Sequence, residues 1–158
     1  MFELDRTLTY RLHLLHKLSD LESQRAYASG AGLSMGDARC LTAVGSFAPL
    51  SVNDLAQKAN LNKGQASRSA QSLVEQGLVL KVASPTDGRG VVLTLTAAGD
   101  AAWRRAMAVV EQRNREIFGV LSLQEREQLS TLFDRLIAQA QTNGPNDDGP
   151  DGRVVNET

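Results

Sequence analysis

A chain of 158 residues with 17 basic and 18 acidic side chains, a formal net charge of −1, is long enough for one hydrophobic core, or for one lobe plus helices that need a partner to cover them. No apolar run approaches the roughly 18 residues of a membrane span and no charged-then-apolar leader is visible, so neither a spanning helix nor a secretory signal is expected. The single cysteine, Cys40, excludes an intrachain disulfide and fits a reducing cytoplasm.

In chain order, Glu3 to Ala28 predict a first helix, with Leu4, Leu8, Leu12, Leu15 and Leu18 at helical spacing and Leu14 and Leu21 widening the stripe. Arg11 falls within that apolar stripe, an odd place for a guanidinium unless a partner carboxylate or a bound anion satisfies it. His13 and His16 lie three apart on the same helix. With no Cys or third His at ligand spacing, they read as ordinary helix residues, and no metal or cofactor is expected. The run RCLTAV predicts part of a second helix in which Cys40, flanked by Leu41 and Val44, packs as a small hydrophobe.

Two short helical patterns follow. SVNDLAQKANL offers Ser51 or Asn53 as N-cap, with Leu55, Ala56 and Ala59 facing inward. LNKGQASRSAQSLVEQG has Asn62 as cap, Ala66, Ala70, Leu73 and Val74 on one face, and a stop at Gly77. The side away from that stripe carries Gly64, Gln65, Ser67, Arg68, Gln71 and Ser72, with Asn62 and Lys63 at the helix start. Small residues, amides, hydroxyls and one arginine suit a DNA major groove, where Arg68 and Gln65 would read base edges and Lys63 a phosphate.

LVLKVAS and GRGVVLTLT then read as a β-hairpin around Pro85, Asp87, Gly88 and Gly90. Arg89 belongs at or beside its tip, where a cation can enter a minor groove, and Asp87 is spaced to hold the guanidinium. Helix, helix, hairpin is the order of a winged helix-turn-helix. Beyond it, Thr96 caps a helix patterned by Trp103, Met107, Val110, Ile117 and Phe118, which ends at Leu121. SLQEREQLSTLFDRLIAQA starts again with Ser122 and Glu125 as a capping box and Leu129, Leu132, Phe133, Leu136 and Ile137 inside. These flanking helices are too apolar to stand alone, and a two-fold dimer that pairs them sets two recognition helices toward successive major grooves.

The stretches LSMGDARCLTAV, SVNDLAQKANLNKGQASRSAQSLVEQGLV and SPTDGRGVVLTLTAAG together resemble the MarR family of bacterial transcription regulators, with its Asp-x-Arg wing and its LTxxG junction at Leu95, Thr96 and Gly99. The resemblance covers nearly the whole chain to about Thr142. The residue after Asp87, often arginine in that family, is Gly88 here, which removes one positive charge from the wing. What the resemblance implies is a triangular, α-rich dimer that binds a pseudo-palindromic operator. Family members commonly take aromatic carboxylates or phenols where the dimer helices meet the winged lobe, which makes Tyr10, Arg11, His13, His16, Met35 and Arg39 the candidate effector residues. Some members sense oxidants through a cysteine of the first helix, whereas Cys40 lies on the second.

Charge distribution agrees with a DNA-facing module. From Lys58 to Arg89 five basic residues (Lys58, Lys63, Arg68, Lys81, Arg89) meet two acidic ones (Glu75, Asp87), a local +3. From Asn143 onward four acids (Asp147, Asp148, Asp151, Glu157) face only Arg153, a local −3 in a Gly-, Pro- and Asn-rich stretch with almost nothing to bury. No phosphate loop, no GxSxG and no converging carboxylate pair marks an enzyme; Asp20 with Glu22, and Glu125 with Glu127, fall on different helix faces. The expected architecture is mainly α with a small β-hairpin wing. Residues 1–30 and 100–142 are expected as a helical dimerisation region, 31–99 as the winged helix-turn-helix and 143–158 as a disordered acidic tail. The expected function is a homodimeric, ligand-responsive DNA-binding regulator, a repressor released by a small aromatic acid or phenol. The alternatives are a redox-responsive regulator using Cys40 and a winged-helix protein-interaction adaptor without DNA.

Overall fold

The structure, a computed structural model, describes residues 1–86, 88 and 90–144. The chain divides into two compact units, Met1–Ile117 and Phe118–Thr158. In the first, a 3-10 turn at Leu4–Arg6 precedes α1 (Leu8–Ala31), α2 (Met35–Phe47), α3 (Val52–Lys58), α4 (Lys63–Glu75), β1 (Val79–Ala83) and β2 (Val91–Leu95). Then comes α5, which spans Ala97–Phe118 and so ends at the unit boundary.

Side chains set these boundaries. The first helix starts later than the leucine spacing indicates, because Thr7 accepts a bond from the Tyr10 N–H and caps α1. It ends at Gly32, which takes the left-handed conformation (φ 66°) that lets its N–H reach back to the Tyr27 carbonyl. Ser34 caps α2 on the Asp37 N–H. Of the two candidate caps for α3, Ser51 serves, accepting from the Asp54 N–H.

The core forms where α2 packs on α1, α3, α4 and β2. Helix α2 contributes Ala38, Cys40, Leu41, Ala43 and Val44, α3 Leu55 and Ala56, α4 Ala66, Ala70 and Leu73, and the hairpin Val79 and Leu93. Burying a leucine the size of Leu41, Leu55 or Leu73 contributes about 1.5–3 kcal/mol. The antiparallel hairpin pairs Val79 with Leu95 through Ala83 with Val91. Leu50 adds a bridge to Leu93 on the far side of β2, tying the α2–α3 connection to the wing.

Two expected apolar faces differ from what the structure buries. Helix α5 inserts Gly99, Ala102, Ala106 and Val109, while Trp103, Met107 and Val110 are only half-buried. The reason is close approach. A Cβ on Gly30 of α1 would lie 2.7 Å from Val109 Cγ2, and one on Gly45 of α2 would lie 2.2–2.5 Å from the Trp103 indole, so small residues occupy the contact line. On α1 only Tyr27 is buried. Leu8, Leu12, Leu15 and Leu18, the predicted stripe, are 50–80% exposed in the single chain.

Tyr27 and two arginines hold α1 in place. Burial pushes the Tyr27 phenol above its usual pKa, while the nearby Arg39 and Arg113 guanidiniums pull it down. Arg113 of α5, its side chain 12% exposed, donates to Ser23 Oγ at 3.2 Å and to the Ser19 carbonyl at 3.4 Å, and pairs with Glu116.

The second unit contains α6 (Leu123–Asn143), opened by the expected capping box. Ser122 accepts from the Glu125 N–H, and Glu125 accepts from the Ser122 N–H. Within it Leu132, Phe133, Leu136 and Ile137 are exposed and Leu129 is half-buried. The helix takes in Asn143, which the sequence assigned to the tail, and Gly144 is its C-cap. The remainder of the expected acidic tail, 145–158, lies outside the described residues.

Candidate nucleic-acid interface

Helix α4 starts with a closed pair of bonds. Asn62 Oδ1 accepts from the Gln65 N–H at 2.8 Å, and the Asn62 N–H donates to Gln65 Oε1 at 3.2 Å. The sequence identified Asn62 as a cap but not Gln65 as its reciprocal partner. That bond occupies the glutamine oxygen and leaves Nε2 as the donor end of the amide.

Lys63, Gly64, Gln65, Ser67, Arg68 and Gln71 are all exposed, opposite the buried Ala66, Ala70 and Leu73. Arg68 folds back along the bare backbone of Gly64, where a Cβ would meet its Nη1 at 3.3 Å. Gln71 is held at both ends of its amide. Oε1 accepts from Lys81 Nζ at 3.3 Å and Nε2 donates to Glu75 Oε1 at 3.1 Å. Lys81, on β1, carries no site signal in the sequence beyond its place in the local run of positive charge.

Ser72 departs from the expected DNA-facing set. It is half-buried and its hydroxyl donates to Asp37 Oδ2 of α2 at 2.7 Å, because its position borders the packed side of the helix rather than the open one. The wing residues Asp87 and Arg89 lie outside the described residues. Their hairpin is closed by the Ser84 N–H on the Gly90 carbonyl at 2.8 Å.

The expected effector residues separate. Asp20 of α1 receives His16 Nε2 on one oxygen and Arg39 Nη2 on the other, both at 3.1 Å, and so draws His16 and Arg39 together. They line a cleft of about 360 Å³ with Thr42, Lys58, Ala59 and Asn60. The last three come from the end of α3 and the turn into α4, where Asn60 adopts φ 55° and Lys58 Nζ lies 4.8 Å from the Phe47 ring centre. None of the three was legible as a ligand residue. Met35 instead borders a separate cleft of about 440 Å³ with Gln24, Ala28, Gly32, Leu33 and Ser34. Tyr10, Arg11 and His13 are exposed on α1 and border neither.

Cys40 is fully buried, as its apolar flanks indicate, and burial pushes its thiol pKa up to about 11 against a smaller opposing effect of the Ser69 hydrogen bond. The neutral thiol is a poor nucleophile. Native protein at about pH 8 is therefore expected to resist iodoacetamide and to be labelled at Cys40 in urea; equal labelling rates in the two states would contradict this burial. Among the described residues no cluster of His, Cys, Asp and Glu is placed to hold a metal, and no helix is long and apolar enough to cross a membrane.

A tightly capped helix pair, a polar outer face on the second helix and a paired hairpin behind it define a winged helix-turn-helix, a DNA-binding class of protein. The family model described as MarR family matches residues 31–90, the span from α2 to the wing. Among curated proteins, the transcriptional regulator BilQ of Clostridium symbiosum is 27% identical over 105 residues, 66% of this chain and 73% of its own. The transcriptional repressor Rv2887 of Mycobacterium tuberculosis is 28% identical over 111 residues, 70% of this chain and 80% of its own. The solved structure of Rv2887 in complex with salicylic acid, 27% identical, superimposes with a TM-score of 0.67 over 84% of this chain and 98% of that one. Over residues 31–90 the chain is thus similar to the MarR family, and the solved relative Rv2887 is itself a MarR family protein.

Proposed function

We propose that this chain is a homodimeric, sequence-specific repressor of the cytoplasm that releases its operator when a small aromatic acid binds. The observation that carries the reading is the outer face of α4, where Gln65, Ser67, Arg68 and Gln71 stand exposed behind a capped N-terminus that also presents Lys63. In this reading residues 31–99 read DNA, while residues 1–30 and 100–142 form the dimer. The uncovered leucines of α1 and the exposed apolar side chains of α6 support that division.

The cleft between α1, α2 and the α3–α4 turn supports the effector assignment. It presents Arg39, His16 and Lys58 to a carboxylate and the Thr42 and Asn60 side chains to a hydroxyl. A relative solved with salicylic acid fits the same ligand class. A pseudo-palindromic operator with half-sites about one helical turn apart would match a two-fold dimer.

The test is a mobility shift against duplexes selected from a random pool by the wild-type protein. Arg68→Ala is expected to cost about 1–3 kcal/mol on selected DNA and to relax the preferred sequence. Lys63→Ala is expected to weaken all duplexes alike and flatten the salt dependence. Arg89→Ala, at the wing, is expected to weaken operator binding by a similar 1–3 kcal/mol without unfolding the dimer. If Arg68→Ala lowers selected and scrambled binding in the same proportion, Arg68 is not a base reader.

A further inference from the structure

The carboxylate of Asp37 is an acid of the winged lobe that the DNA-reading face does not use. It sits in the first turn of α2, half-buried, and one oxygen, Oδ2, receives two bonds from the last turn of α4: Ser72 Oγ at 2.7 Å and Gln76 Nε2 at 3.1 Å. Gln76 Nε2 also reaches Ser72 Oγ at 3.0 Å, so the three side chains form a closed triangle across 35 to 39 residues of sequence. Bonds to an ionised carboxylate are shorter and stronger than neutral ones.

The seam beside this triangle is tight. A Cβ on Gly36 would lie 3.1 Å from Ser69 Oγ, and Ser69 of α4 and Cys40 of α2 are both buried. On the other flank of α4, Lys81 of β1 holds Gln71. Ser72 marks the edge of the buried side of the helix, and Arg68 lies about 40° round from it. A rotation of α4 about its own axis therefore breaks the triangle on one edge or the lysine bond on the other, and carries Arg68 and Gln71 with it.

We infer that Asp37 is a positioning residue that sets the rotation of α4 through Ser72 and Gln76, so that Ser72 contributes to sequence recognition without touching DNA. The inference rests on the DNA-reading proposal above for its functional consequence, though not for its geometry.

The experiment compares full-length wild type, Asp37→Ala, Ser72→Ala, the double variant and Asp37→Asn on duplexes selected by the wild type and on scrambled duplexes, with amide exchange followed across α4. Asp37→Ala and Ser72→Ala are each expected to lower the ratio of selected to scrambled affinity at least tenfold and to leave scrambled binding within about twofold. The double variant should be no worse than either single one, and the exchange of amides 72–76 should speed up. Asp37→Asn, whose side-chain oxygen still accepts from Ser72, should restore most of the ratio. A loss in Ser72→Ala that Asp37→Ala does not share would mean that Ser72 touches DNA and would overturn the inference, as would additive losses. If the wild type selects no sequence at all, the DNA-reading proposal fails instead. The clamp then stands or falls on exchange, and wild-type protection of residues 72–76 in both Asp37→Ala and Ser72→Ala overturns it.

Discussion

Replacing Gly99 by alanine is expected to lower the stability of the winged lobe by about 3 kcal/mol, the upper end of what overpacking usually costs. The added Cβ would lie 1.8 Å from the Leu78 carbonyl oxygen and 2.9 Å from its carbon, and both are backbone atoms that cannot swing aside. That carbonyl is fixed from several directions. It accepts from the Thr96 N–H at 3.1 Å, and the Leu78 N–H is tied to the Leu73 carbonyl at 3.0 Å. Thr96 Oγ1 donates to the Gly77 carbonyl at 2.7 Å while accepting from the Gly99 N–H at 2.9 Å. Gly77 turns the chain at φ 72°, which a side chain rarely tolerates. The junction thus splices the end of α4 to the start of α5 with no space between backbones. Urea unfolding should show the loss as a lower midpoint at unchanged slope. A wild-type midpoint would mean that the splice has room to open.

The same junction shows what kind of information the sequence carries. Leu95, Thr96 and Gly99 stand out as a motif, and Thr96 is readable as a cap because its partner is three residues away. Why residue 99 must be glycine is not readable, since the obstacle is a carbonyl 21 positions earlier. Caps, stops and strand alternation are local, so Asn62, Ser122, Gly77 and the hairpin were legible. Helical periodicity, by contrast, reports which side of a helix is apolar and not what covers it. The leucines of α1 have the right spacing yet stay exposed in the single chain, and α5 buries alanines where Trp103 and Met107 looked the better anchors. The helical angle of Ser72 points to the outer face, but a carboxylate 35 residues away decides where its hydroxyl goes. Similarly, the sequence shows only that Asp20 and Glu22 fall on different helix faces, whereas the partners of Asp20 are His16 one turn before it and Arg39 on the next helix. The Asp37–Ser72 and Asp20–Arg39 contacts join distant elements, which no periodicity encodes, while the i,i+4 pair of His16 with Asp20 is local.

Salicylate titrated into the protein–DNA complex is expected to release the duplex, and Arg39→Ala is expected to raise the half-maximal concentration at least tenfold, about 1.4 kcal/mol. Release requires the ligand to prefer the state that does not fit DNA. A cleft that joins α1 and α2 to Lys58 and Asn60, immediately before the Asn62 cap of α4, places the ligand where such a preference can act on the reading helix. Lys58→Ala should also weaken the response, while Cys40→Ser should leave it intact because the buried thiol takes no part. Arg11→Ala separates two placements of the anion: the leucine stripe of the sequence pointed to Arg11, whereas the geometry assembles its cations around Arg39. A response lost with Arg11→Ala and kept with Arg39→Ala would move the ligand out of this cleft. Release by peroxide alone, abolished in Cys40→Ser, would replace the aromatic acid with an oxidant. Asp20 gives the sharpest contrast, since it already occupies both His16 and Arg39 and repels an incoming carboxylate. Asp20→Asn removes that competing charge while keeping an oxygen to accept from Arg39, and should therefore lower the salicylate concentration needed for release, the opposite direction to Arg39→Ala and Lys58→Ala.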